Sequence, residues 1–187
     1  MGIIVSSFPG CGKHYLMNTH GDKVKMLNAG QELMHTGEPT TDEFGYDYNL
    51  FVDAVMKVVD DYDIVFIPTG KEFLDVFNKR NIDYDLFYPS KDRRKEFLEN
   101  FVRKRVPSRD IMMLDRDFDK EIDRLDSIES ENCYKHQMPE LGHFIGNDGA
   151  IMQYVNNVKQ NPTKNDIQGE GVEESSRSEE DNEEDKS

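Results

Sequence analysis

Ile3-Ile4-Val5-Ser6-Ser7-Phe8-Pro9-Gly10-Cys11-Gly12-Lys13, near the start of a 187-residue chain, sets a short β-branched run directly against a glycine turn and a lysine. Ile3, Ile4 and Val5 suit a strand buried on both faces of a parallel sheet, and Tyr15-Leu16-Met17 can open a helix once the glycines end. Strand, glycine turn and helix in that order bring backbone N–H groups together at one point, where an anion can be held. Gly10 and Gly12 turn the main chain without a Cβ in the way, and Lys13 adds a mobile cation able to reach outer phosphates.

These features make Pro9, Gly10, Cys11, Gly12, Lys13, His14 and Tyr15 the residues expected around a bound ATP. The pattern departs from G-x-x-x-x-G-K-[ST] at both ends, with Ser7 in place of the first Gly and His14 in place of the Mg²⁺-binding hydroxyl. Mg²⁺ prefers oxygen, so His14 is a poor ligand for it. The same residues also make a tight strand-to-helix packing turn that needs no ligand.

Outward from the loop, strands and helices alternate. Residues 24–27 make a second strand, and the Gly-, Pro- and Thr-containing stretch 30–46 has no periodicity and reads as a loop or small cap. Leu50, Phe51, Ala54, Val55, Val58 and Val59 form one apolar helix face. Residues 64–67 are a strand-length apolar run, 71–80 a helix packing Phe73, Leu74, Val76 and Phe77, and 84–88 a further strand closed by Pro89. Phe97, Leu98, Phe101 and Val102 stripe the next helix, and Phe118, Ile122 and Leu125 the one after. Residues 133–138 read as a polar edge strand and 151–158 as a closing helix. This alternation predicts βαβ units, hence an α/β fold with a mostly parallel sheet flanked by helices. Thr69 with Glu72 three residues on fits a capping box, although Lys71-Glu72 also stands at a strand's C-terminal edge, where ligands of parallel sheets bind.

The net charge is −15, and from Gln168 onward nine acidic residues face only Arg177 and Lys186. The chain divides into a nucleotide-binding domain over 1–160 and an acidic C-terminal tail over 161–187, expected to be disordered. Such a balance argues against duplex nucleic acid as a partner, because phosphate contacts need a basic face. The tail is either solubilising or a docking segment for a basic protein. Cys11 and Cys133 are too few for a disulfide framework, and Cys11 fits as a space-filler within the loop. No apolar run approaches the roughly 20 residues of a membrane span, so no membrane partner is expected, and the expected location is the cytoplasm (of the host, for a viral chain). Histidines 14, 20, 35, 136 and 143 lack zinc-site spacing, and Ser6 and Ser7 have no visible acid–base companions.

Pro9-Gly10-x-Gly12-Lys13 after a strand resembles the G-x-P-G-x-G-K loop of adenylate kinases and related nucleoside monophosphate kinases. In patches covering about two thirds of the chain, the sequence is also similar to small P-loop nucleotide kinase-like proteins of bacteriophages and their hosts: the loop, residues 63–72, residues 84–89 and the region 97–125. The resemblance implies a three-layer P-loop NTPase-like fold and transfer of the ATP γ-phosphate, with Mg²⁺, to a (deoxy)nucleoside monophosphate or similar small acceptor. It further implies a lid whose arginines close over the phosphates. The basic region 91–105 is the place to seek one, with Lys13, Arg93, Arg94, Arg103 and Arg105 as candidate catalytic residues. The same arginines also fit a solvated helix face paired with Glu96 and Glu99. The family's Asp-rich segment after the second strand is replaced here by Leu27-Asn28-Ala29-Gly30-Gln31, and the third strand lacks a terminal Asp. With His14, these departures favour the alternative of a degenerate member that binds nucleotide without turnover and acts as an interaction module.

Overall fold

The computed structural model describes residues 2–27 and 47–138. The expected cap over 30–46, the segment 28–31, the closing helix over 151–158 and the acidic tail lie outside them. Among the described residues five strands, β1 (Ile3–Ser7), β2 (Val24–Met26), β3 (Ile64–Ile67), β4 (Tyr84–Pro89) and β5 (Cys133–Met138), form one sheet in the order β2-β3-β1-β4-β5. Every pairing is parallel, so the sheet goes beyond the mostly parallel expectation. The helices between them are α1 (Lys13–Thr19), α2 (Tyr48–Val58), α3 (Lys71–Lys79), α4 (Arg94–Arg103) and α5 (Ser108–Asp126), with a 3₁₀ turn at Lys91–Arg93. The result is an α/β architecture compatible with three layers.

The first strand in sequence is the middle strand of the sheet, because Ile3, Ile4 and Val5 leave no polar face to present to water. Ile64, Val65, Phe66 and Ile67 of β3 are all buried for the same reason. The polar strand β5 takes the edge, as the alternation of its burial requires. It pairs with β4 through to Pro89 opposite Met138, so β4 runs one residue beyond its expected end.

Asp47 caps α2, its side chain accepting the Asn49 N–H at 2.9 Å, and Phe51, Val52 and Val55 turn into the core. The capping box expected at α3 does not form. Gly70 is the N-cap, with no side-chain cap bond, while Thr69 is buried and its carbonyl accepts from Arg124 of α5 at 2.6 Å. An extended Gly70 between Thr69 and the helix moves Thr69 out of capping reach. Lys71 pairs with Asp75 one turn along, an exposed pair that needs no ligand.

Phe8, immediately after β1, anchors the loop to the helical layer. Its ring meets Phe97 of α4 and Phe118 of α5 edge-on at centroid distances of 5.8 and 5.4 Å, and those two meet each other at 6.1 Å. Each such contact contributes about 0.5–1.5 kcal/mol beyond area burial, and three in a ring fix where the loop leaves the sheet.

Candidate functional site

The loop emerges at the C-terminal edge of the central strand. Small side chains let β1 end inside the protein: Ser6 and Ser7 are both buried, and Ser6 Oγ donates to the Pro68 carbonyl at 3.1 Å, tying the ends of β1 and β3 together. The Phe8 N–H donates to the Phe87 carbonyl at 2.9 Å, carrying the ladder with β4 one residue past the strand. The Cys11 N–H then returns to the Phe8 carbonyl at 3.2 Å and closes the turn.

Both glycines occupy the left-handed region, Gly10 at φ 92° and Gly12 at φ 84°. Gly10 is needed twice over, since a Cβ there would stand 3.1 Å from Phe97 and 3.2 Å from Phe101 as well as strain the backbone. Gly12 caps α1, and its carbonyl accepts the Tyr15 N–H at 2.9 Å.

Counting backbone donors separates the seven predicted loop residues. Pro9 has no N–H, and those of Cys11 and Tyr15 are used within the turn. Among the described residues, the N–H groups of Gly10, Gly12, Lys13 and His14 donate to no acceptor. Four unspent amides about a loop with two left-handed residues form an anion-binding concavity. Ser7 Oγ is also buried without a partner among the described residues.

The Lys13 ammonium folds back over the loop and donates to the Ser7 carbonyl at 3.3 Å. No carboxylate among the described residues lies within ion-pair distance of it. Burial lowers its pKa below the ordinary 10.5. A half-buried cation with only a carbonyl for company is electrostatically unfinished, and an anion would complete it.

Cys11 belongs to the core, and burial pushes its thiol up to about 12, against the opposing pull of Lys13, Arg93 and Lys104. The space-filling role expected of it agrees with this placement. Alkylation with iodoacetamide at about pH 8 should leave Cys11 unmodified in the folded protein and modify it after denaturation, read by peptide mass spectrometry. Labelling of Cys11 at the rate of a free thiol in the folded protein would contradict the burial.

The four candidate arginines separate. Arg93 is 1% exposed, forks onto Glu96 at 2.8 and 2.9 Å, and lies 5.5 Å from the Phe97 ring. Its side chain is packed and paired here, and the Glu96 pairing weighed from sequence is the one that forms. Arg94 reaches across to α5, bonding the Asp115 carboxylate at 2.9 Å and the Asp115 carbonyl at 2.5 Å, with Asp119 at 3.6 Å. It serves as a strut between helices. Arg103 and Arg105 remain exposed, Arg103 donating to Asn100 and Arg105 holding a left-handed conformation (φ 56°) just past α4.

Lys104 lies in the basic region 91–105 but is not among the candidate catalytic residues. It sits three residues beyond Phe101, which touches Gly10, and its charge is felt at Cys11 inside the loop. The contact between Gly10 and α4 reveals it, and no motif spacing could. The groove of about 790 Å³ along α4, lined by Arg94, Lys95, Leu98, Glu99, Val102 and Arg103, includes no residue of the loop.

A second pairing was also invisible in the sequence. His136 of β5 stacks on Phe87 of β4 at 4.4 Å, and its Nε2 lies 2.6 Å from the buried Asp85 carboxylate. Phe87 is the register partner of both His136 and Ser7, so the pair spans the strand beside β1 and the one after it, level with the end of β1. In comparisons with known proteins, no family matches the chain and no curated protein is similar enough to count as a match.

Proposed function

We propose that this chain binds the phosphates of ATP in the loop formed by residues 7–13 and transfers the γ-phosphate to a (deoxy)nucleoside monophosphate or a similar small acceptor. One observation carries the proposal: four backbone amides and a half-buried ammonium, none committed to a carboxylate among the described residues, surround the turn that ends the central strand. The position supports it too. The strand order reverses at β1, which has β3 on one side and β4 on the other, and parallel sheets bind ligands beyond the carboxyl ends of the strands at such a point.

Phosphoryl transfer asks for positioning and charge more than for covalent help. The amides of Gly10, Gly12, Lys13 and His14 would hold the phosphate oxygens. Lys13, released from the Ser7 carbonyl, would offset the charge that builds up during transfer. Lys104, whose charge acts on Cys11, and its neighbours Arg103 and Arg105 would supply further positive charge. Mg²⁺ accompanies ATP in this reading and would spread the phosphate charge. Among the described residues no trio of His, Cys, Asp or Glu could hold the ion, so phosphate oxygens and water would be its ligands.

The test is ADP release in a coupled assay with Mg²⁺ and ATP against a panel of nucleoside and deoxynucleoside monophosphates. One acceptor should raise turnover at least tenfold over ATP alone, whereas a flat response across the panel would remove the transferase assignment. The second reading, a nucleotide binder without turnover, draws on Arg93 and Arg94 being committed to Glu96 and Asp115. It keeps ATP binding while the acceptor panel stays flat.

A further inference from the structure

Between Arg103 and Arg109 four cations, Arg103, Lys104, Arg105 and Arg109, are exposed, and none has a carboxylate within ion-pair distance among the described residues. Elsewhere on α4, α5 and the 3₁₀ turn before them, only Lys120 is likewise without an ion pair among the described residues. Lys91, Arg93, Arg94, Lys95, Arg116 and Arg124 each pair with Asp or Glu. Exposed apolar side chains flank the same turn: Val102 is 62% exposed, Met112 71% and Met113 46%. At 1.5 Å per helical residue, Met112 and Met113 lie within about 8 Å of the start of α5, so exposed apolar groups stand close to the cations along the chain. Unpaired positive charge beside exposed apolar surface in a chain of net charge −15 marks a docking surface for something acidic.

We propose that this patch is the docking surface for the acidic segment 170–185 of the same chain. That segment carries nine acidic residues and one basic residue, Arg177, with the apolar Val172 set between Glu170 and Glu173. The 31 residues between Met138 and Glu170 can span up to about 100 Å, so the connection reaches the turn without strain. Tethering raises the local concentration of the segment toward the millimolar range, and an acidic partner from outside would have to compete with it. The docking does not depend on nucleotide binding. If the loop holds ATP, its consequence is regulatory, because Lys104 would be shared between the acidic segment and the phosphates.

The test uses the intact chain and a zero-length carbodiimide, which joins a carboxylate to a lysine amine with loss of water. In low salt the monomer fraction should yield peptides joining Lys104 to an acidic residue of 170–185. The yield should fall at least fivefold at about 0.5 M NaCl, where the screening length is about 4 Å, and vanish in the Lys104→Arg variant, which keeps the charge. Tail carboxylates coupling evenly to all lysines, or to none, would overturn the proposal. So would Lys104 coupling confined to cross-linked dimers, which would assign the patch to a second copy.

Discussion

Lys13→Met abolishes the response to ATP and at the same time makes the ligand-free protein more stable. At a ligand concentration 100-fold above Kd, binding stabilises the folded state by about 2.7 kcal/mol. For a chain of this size that raises the melting temperature by roughly 5–10 °C, and the variant should show none of it. The gain in the ligand-free state comes from the other side of the same electrostatics. Burial holds the Lys13 pKa in the folded protein below the 10.5 of the unfolded chain, so between the two values the unfolded chain binds more protons. Ligand-free stability therefore rises as pH climbs through that window, and below it the partly desolvated ammonium is a cost that Met does not carry. Thermal melts with and without ATP·Mg²⁺ at pH 7 and at pH 10 measure both halves. A variant that keeps the ATP shift would remove Lys13 from the site. One that loses stability without ligand would show the ammonium to be a structural tether to Ser7.

Gly10→Ala should destabilise the protein by about 2–4 kcal/mol. Roughly 1–2 kcal/mol comes from forcing an L side chain to φ 92°, and the rest from overpacking against the rings of Phe97 and Phe101. The two parts can be told apart. Phe101→Leu in the Gly10→Ala background should recover the Phe101 part of the packing share and leave the Phe97 part and the backbone share, giving a coupling energy in a double-mutant cycle. The Gly10 amide would also turn away from its direction in the concavity, so residual ATP binding should weaken. Denaturation midpoints near wild type for Gly10→Ala would mean the loop adopts a different conformation.

The strands and helices were legible because their signals are local. Ile3-Ile4-Val5 and Ile64-Val65-Phe66-Ile67 could only be two-faced strands, and the stripe of Phe118, Ile122 and Leu125 is buried as its spacing requires. The turn at residues 8–12 was legible too, since two glycines in three residues anticipate two left-handed conformations. What escaped depended on partners far away in sequence. Arg93 looked like a surface cation because the chain near Met138, whose carbonyl it reaches, is 45 residues later in sequence. The Thr69 cap failed because the Thr69 carbonyl is claimed by Arg124, 55 residues later. His136 meets Asp85 only because β4 and β5 take a particular register, which their short polar alternation does not fix in advance. Lys104 gained its place beside the loop through the seat of Gly10 on α4, a tertiary contact between elements separated by almost ninety residues.

The central claim is that main-chain amides at the end of the central strand grip an anion, and amide NMR during titration of ATP·Mg²⁺ into the ¹⁵N-labelled protein tests it most directly. The resonances of Gly10, Gly12, Lys13 and His14 should move together along one saturable curve, with the largest shifts in the spectrum. Those four resonances standing still at saturating nucleotide, whether or not others move, would contradict it.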